Sequence, residues 1–157
     1  MARCTHVTKS QKKIPESVCG IKGGIPEGSS YYWWKFRRGG KRFSLTPPKR
    51  SALTQSSFYA TIFDIEDDMI EKANLDNIVS MVEEVKSALE ELRDECQDNL
   101  DNTPESFQES SINNERVENL ESMIDEIDNI DVSDESDENE KQEVLDALKA
   151  IDLSSIG

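Results

Sequence analysis

The sequence predicts an α+β fold: a small basic β-hairpin head plus helix, followed by an acidic antiparallel helical hairpin and a mobile C-terminal tail. Three observations lead there. The stretch Ser29 to Thr46, SSYYWWKFRRGGKRFSLT, places two aromatic, β-compatible runs around Gly39-Gly40, a tight-turn signal. Further on, Leu75, Ile78, Val82, Val85, Leu89, Leu92 and Cys96 alternate spacings of 3 and 4, a heptad seam that Val117, Leu120, Ile124 and Ile127 resume. Charge is segregated as well. Residues 1–50 hold 12 of the 18 Lys+Arg and only 2 acids (Glu16, Glu27), for +10, while residues 51–157 hold 6 basic and 31 acidic residues, for −25.

Four segments follow from these patterns: a basic flexible arm over 1–28, a β-β-α basic and aromatic head over 29–72, an acidic helical hairpin over 73–130, and an acidic linker with a short amphipathic helix over 131–157. In the arm, Lys9, Lys12 and Lys13 precede a run from Cys19 to Gly28 that is too rich in glycine for a helix. It reads as turns, or a short irregular strand around Ile21. Pro47-Pro48 forces an extended exit from the hairpin, after which Ser51 or Thr54 can cap a helix. Within that helix Phe58, Ile62, Ile65 and Met69 form one apolar stripe, widened by Tyr59 and Phe63, the natural cover for the hairpin's apolar face. Phase is lost at Ala73-Asn74, which predicts a kink or short break. Pro104 interrupts the two seam helices, which a short loop would fold antiparallel. The first seam is the longer, which leaves part of it for the head or for a homodimer. The run Asp131 to Glu140 reads as an unstructured acidic linker, and Val144, Leu145, Leu148 and Ile151 as a terminal helix ending near Gly157, free to dock back or to bind as a peptide.

With Gly39-Gly40 as a two-residue loop, Arg37 faces Arg42, Phe36 faces Phe43, Lys35 faces Ser44, Trp34 faces Leu45 and Trp33 faces Thr46. Alternation then collects Tyr32, Trp34, Phe36, Phe43 and Leu45 on a face that wants burial. The other face collects Tyr31, Trp33, Lys35, Arg37, Arg42, Ser44 and Thr46. Aromatics that stack bases beside cations that meet phosphates are the chemistry of nucleic-acid binding, and Tyr31, Trp33, Lys35, Arg37, Arg38, Lys41 and Arg42 are its candidate residues. A two-stranded ribbon also fits the major groove of duplex DNA. The bland reading packs this face under the arm and leaves the cations merely solvated.

The stretch from Tyr31 to Met69, with strands running aromatic-basic up to a Gly-Gly-Lys turn, resembles the β-sheet arm-binding domains of phage-type tyrosine recombinases, although no recombinase catalytic region follows. The run from TyrTyrTrpTrpLysPheArg through ThrProProLysArgSerAlaLeuThrGlnSer is similar to small uncharacterised proteins carried by bacteriophages. That resemblance implies a viral origin and gives no established activity; the cytoplasm of the host cell is the expected location.

On the helices, Glu83, Glu84, Glu90, Glu91, Asp94 and Glu95 fall off the seam. The ordinary reading is solvated helix surface. The sharper one is a DNA-mimicking rod that blocks a basic cleft of a host enzyme, making the protein an inhibitor or adaptor. Cys4, His6 and Cys19 lack the paired spacing of a zinc site, so neither metal nor cofactor is expected. Three cysteines point to a reducing compartment, and no apolar run approaches a membrane span or a signal-peptide core. Ser133 and Ser136 lie among acids as phosphorylation candidates that disorder explains equally well. Without a Walker loop, Rossmann fingerprint, HExxH or nucleophile elbow, the chain reads as non-enzymatic. The primary expectation is a nucleic-acid-binding accessory protein whose acidic helices bind a host or phage protein.

Overall fold

Residues 1–153 are described by the structure, a computed structural model, in two units, Met1–Ala60 and Thr61 onward. The class is α+β. Among the described residues there is one three-stranded antiparallel sheet, and the rest of the regular structure is helical. The unit boundary falls inside the helix that the sequence assigned whole to the head.

The first unit is built on a sheet of strand order β1-β2-β3, with β1 at Cys4–Val7, β2 at Tyr31–Lys35 and β3 at Lys41–Ser44. β1 is a departure from expectation, since residues 1–28 were read as a flexible arm. Cys4, Thr5, His6 and Val7 lie opposite Trp34, Trp33, Tyr32 and Tyr31, which makes β2 the central strand. The glycine-rich return is pinned rather than loose. Ser10 N–H donates to Ser29 O and Gly28 N–H to Ser10 O, both at 2.8 Å, and Ile14 and Ile25 exchange two bonds of 2.9 Å. The pairing partner is thus Ile25, fully buried, rather than a strand around Ile21. Between them α1 (Glu16–Cys19) stops at Gly20, and the Glu16 carboxylate accepts from Gly23 N–H at 2.9 Å. Gly24 is required here: its φ is +76°, and a Cβ would lie 2.5 Å from Ile14 O. After β3 the chain makes a 3-10 turn at Arg50–Leu53. Ser51 sits in that turn, and Thr54 is extended, its Oγ1 accepting from Ser56 N–H at 3.2 Å. The helix is therefore delayed, and Ser56 caps it, accepting from Tyr59 N–H at 3.4 Å.

The helix α2 (Ser57–Lys72) buries Phe58, Ile62 and Met69 of the expected stripe, together with Phe63, while Ile65 is half-buried. It ends where the phase was lost. Asn74 and Asn77 both donate their side-chain N–H to Lys72 O at 3.1 Å, while Asn74 Oδ1 accepts from Asp76 N–H at 2.9 Å. These side-chain bonds occupy the orphan groups between α2 and α3 (Ile78–Asp101).

In the second unit α3 packs against α5 (Ile112–Asp128), and Lys86 near the start of α3 pairs with Asp128 at the end of α5, so the two run antiparallel. From Ile78 on the seam is buried as read: Ile78, Val82, Val85, Leu89, Leu92 and Cys96 face Val117, Leu120, Ile124 and Ile127, while Leu75, its expected first member, is half-buried before α3. Pro104 opens a short helix, α4 (Glu105–Gln108), within the connection, and Ser111 caps α5. The expected mobile tail is instead a docked element. α6 (Glu138–Ala150) starts with a capping box in which Asp137 accepts from Asn139 and Glu140 N–H and Glu140 returns the bond. It packs on α3 and buries Leu145 and Leu148, with Leu153 just beyond. Residues 154–157, where the helix was expected to end, lie outside the described residues.

Leu89 and Leu120 are fully buried in this seam, so Leu89→Ala is expected to lower stability by about 2–5 kcal/mol. Ile112→Ala, at a residue 56% exposed, is expected to stay within ~0.5 kcal/mol. Urea unfolding followed by far-UV circular dichroism checks both, and equal effects would contradict the seam.

Candidate nucleic-acid interface

The hairpin forms, but its register differs from the two-glycine turn. Tyr32, Trp33, Trp34 and Lys35 lie opposite Ser44, Phe43, Arg42 and Lys41. The loop therefore has five residues, Phe36 to Gly40, and every pair has slipped by three from the expected register. Two features accompany the slip. Phe36 lies in the loop, still buried at 7% exposed, and no longer faces Phe43. Of the two glycines only Gly39 has a positive φ, and Gln55 Nε2 holds the loop by donating to Arg38 O at 2.9 Å.

An odd slip exchanges the two faces of β3. One face of the sheet now carries Tyr31, Trp33 and Lys35 of β2, Lys41 and Phe43 of β3, and Thr5 and Val7 of β1. The side chains confirm it: Lys41 Nζ lies 4.5 Å from the Trp33 ring centroid, and Tyr31 and Phe43 rings are 6.1 Å apart. Tyr31, Trp33 and Phe43 are half-buried, while Lys35 and Lys41 are exposed. Phe43, expected inside, thus joins the aromatic row, and Leu45, also expected inside, is 49% exposed beyond the end of β3.

The opposite face carries Cys4, His6, Tyr32, Trp34, Arg42 and Ser44. Trp34 is buried there as expected, and His6 stacks on Tyr32 with centroids 4.4 Å apart. Arg42, expected beside Trp33, lies instead opposite Trp34 with its guanidinium 5.4 Å from the Phe36 ring. Arg37 and Arg38 are exposed in the loop. The sheet therefore brings together Tyr31, Trp33, Lys35 and Lys41 of the seven candidates, separates Arg42, and leaves Arg37 and Arg38 at the turn. Sequence reasoning missed Phe43 and the whole of β1, although Cys-Thr-His-Val is itself a short β-compatible run.

The charge boundary coincides with the unit boundary, because residues 51–60 contain no ionisable acid or base except Tyr59. The first unit thus carries +10 and the second −25. On α3, Glu83, Glu84, Glu91, Asp94 and Glu95 are exposed and Glu90 is half-buried. Cations of the second unit are partly spent on local pairs: Lys72 with Asp68 and Arg93 with Asp94, both 2.7 Å, and Lys86 with Asp128. Hydrogen bonds to Asp68, Asp128 and Asp94 raise the pKa of Lys72, Lys86 and Arg93 respectively. Burial pushes the Cys96 thiol up against the opposing pull of Arg116. Cys19 is also buried, its Sγ 3.9 Å from Ile21 O, and Cys4 and His6 lie on the sheet apart from it. Among the described residues no group of three His, Cys, Asp or Glu side chains is placed to hold a metal, and no helix is long and apolar enough to cross a membrane.

Raised folded-state pKa values for Cys96, Lys72 and Lys86 mean that the folded protein holds these protons more tightly than the unfolded chain. Their contribution is complete below the unfolded thiol value of 9.0 and is lost as pH rises through the folded values. The urea midpoint of the helices is expected to be flat near neutrality and to fall above pH ~9, with a later onset in Cys96→Ala. A midpoint that rises with alkaline pH would contradict this. Comparison of the chain with models of protein families, with curated proteins and with solved structures finds no match.

Proposed function

We propose that the protein is a non-enzymatic nucleic-acid-binding accessory protein whose open sheet face, Tyr31, Trp33, Lys35, Lys41 and Phe43, receives a single strand. The observation that carries this reading is the placement of Lys41 over Trp33 beside the Tyr31–Phe43 pair, on a unit of net charge +10. Bases have π-faces that stack on half-exposed rings, and ammonium groups at the same edge track phosphates. The resemblance of residues 31–56 to small phage proteins supports a phage-encoded role in the host cytoplasm, where the three free cysteines stay reduced.

The second reading, a DNA-mimicking inhibitor or adaptor, draws on the exposed carboxylates of α3 in a unit of charge −25. The same helices then supply a host or phage protein contact for the accessory role. Reversing Glu83, Glu84, Glu91 and Asp94 to Lys is expected to abolish capture of such a partner and to leave oligonucleotide affinity unchanged or raised.

Fluorescence anisotropy with a labelled oligonucleotide tests the primary reading. Trp33→Ala is expected to cost about 1–3 kcal/mol, and to weaken single strands more than duplex. Lys35→Ala with Lys41→Ala is expected to shallow the logarithmic salt dependence by about 1.4 for a single strand. Arg42→Ala, on the opposite face, should change affinity much less. Equal losses from Arg42 and Trp33, or retention unaffected by any of these changes, would overturn the assignment of the face.

A further inference from the structure

At one end of this face lies a pocket of about 320 Å³, lined by Arg3, Lys35, Phe36, Arg37, Leu53 and Gln55 among others. A single water needs only ~10–15 Å³ of such space, so the pocket admits a phosphate group together with hydration. We propose that this pocket is a receptor for the terminal phosphate of a nucleic-acid strand, a phosphomonoester dianion, whose neighbouring base stacks on Trp33. The proposal rests on the single-strand reading of the sheet face and specifies which part of the strand the protein holds.

Three observations meet here. The first is an uncompensated row of cations. Cys4 lies opposite Trp34, so the register brings Arg3 to the level of Lys35, which itself lies opposite Lys41. Like charges directly across a sheet destabilise it, yet no carboxylate pairs with Arg3, Lys35 or Arg37 among the described residues. An anion in the pocket relieves that repulsion, and a doubly charged phosphomonoester relieves it more than a phosphodiester does. The second is spacing. Trp33 and Lys35 are two residues apart on one face of β2, roughly 6.7 Å along the strand, which puts the cation row about one extended nucleotide from the stacking ring.

The third observation is the backbone that walls the pocket. The segment Leu53 to Gln55 lies across this end of the sheet like a bar. Ala2 N–H donates to Leu53 O at 2.6 Å, and Gln55 Nε2 donates to Arg38 O at 2.9 Å. One bond ties the bar to the residues entering β1, the other to the loop leaving β2. Phe36, Leu53 and Gln55 line the pocket beside Arg3, Lys35 and Arg37. The preference for an end over an internal phosphate rests on charge, since a terminal phosphomonoester brings close to two negative charges to the cation row. Arginine suits the role, since its planar fork meets two phosphate oxygens at once.

The experiment compares one oligonucleotide in three forms, 5′-phosphorylated, 3′-phosphorylated and hydroxyl-ended, each labelled at the far end. One phosphorylated form is expected to bind about tenfold more tightly than the hydroxyl-ended strand. Arg3→Gln with Arg37→Gln should erase that difference while hydroxyl-ended binding keeps its dependence on Trp33. Equal affinity for all three forms, with Trp33→Ala weakening each, overturns the phosphate receptor and leaves the sheet-face reading standing. A free nucleoside monophosphate that binds as tightly as the phosphorylated strand overturns the strand-end assignment. Failure of every oligonucleotide to bind overturns both. Inorganic phosphate, followed by NMR shifts of Arg3 and Arg37, supplies a readout of the pocket that does not need a strand. Shifts confined to those residues and abolished by Arg37→Gln support it.

Discussion

The five-residue turn from Phe36 to Gly40 is the constraint on which the sheet depends. A hairpin closed by two glycines would keep Phe36 in the ladder opposite Phe43. The protein instead withdraws that ring, closes the turn with five residues and lets Gln55 hold the loop backbone. Because the slip is odd, every residue of β3 changes face. Phe43 moves out to join Tyr31, and Lys41 moves over Trp33, while Arg42 moves to the side of Trp34. The length of one turn thus determines the composition of a surface several residues away.

The second organising device is the placing of charge along the chain. Nearly all the charged side chains of the sheet unit are cations, and Arg3, Lys35 and Arg37 have no carboxylate partner among the described residues. The helical unit does the reverse, spending several of its few cations on local pairs such as Lys72–Asp68 and leaving its acids to solvent. Exposed pairs of that kind add little stability, so the helical unit depends on its seam, where Leu89, Leu120 and Leu148 are fully buried. Excess like charge opposes compaction, and the apolar stripe offsets it. Segregation therefore serves interaction more than it serves the fold.

The heptad spacing from Ile78 to Cys96 and from Val117 to Ile127 was legible without coordinates, since each residue's burial follows from its neighbours three and four positions away. The break at Asn74 was legible for the same reason. The candidate site was legible in its chemistry and only partly in its geometry. Tyr31, Trp33 and Lys35 share one strand, so alternation alone keeps them together, whereas Lys41, Phe43 and Arg42 depend on a pairing that alternation leaves open. The strand at Cys4–Val7 escaped notice because four residues carry little periodic signal, and its partner is Tyr31 to Trp34, far along the chain. The docking of α6 depended likewise on a distant surface, that of α3.

The chain's own residues thus determined its helices, its break points, its division of charge and the aromatic and basic character of β2. Each of these is set by neighbours close in sequence, through periodicity, capping and composition. Tertiary structure alone decided the register of the hairpin, the third strand, the bar of Leu53 to Gln55 across the sheet end and the meeting of Arg3 with Lys35 and Arg37. Those features join residues many positions apart, and they are set by the length of the turn and by which backbone groups must find a partner, conditions met only once the whole unit has closed.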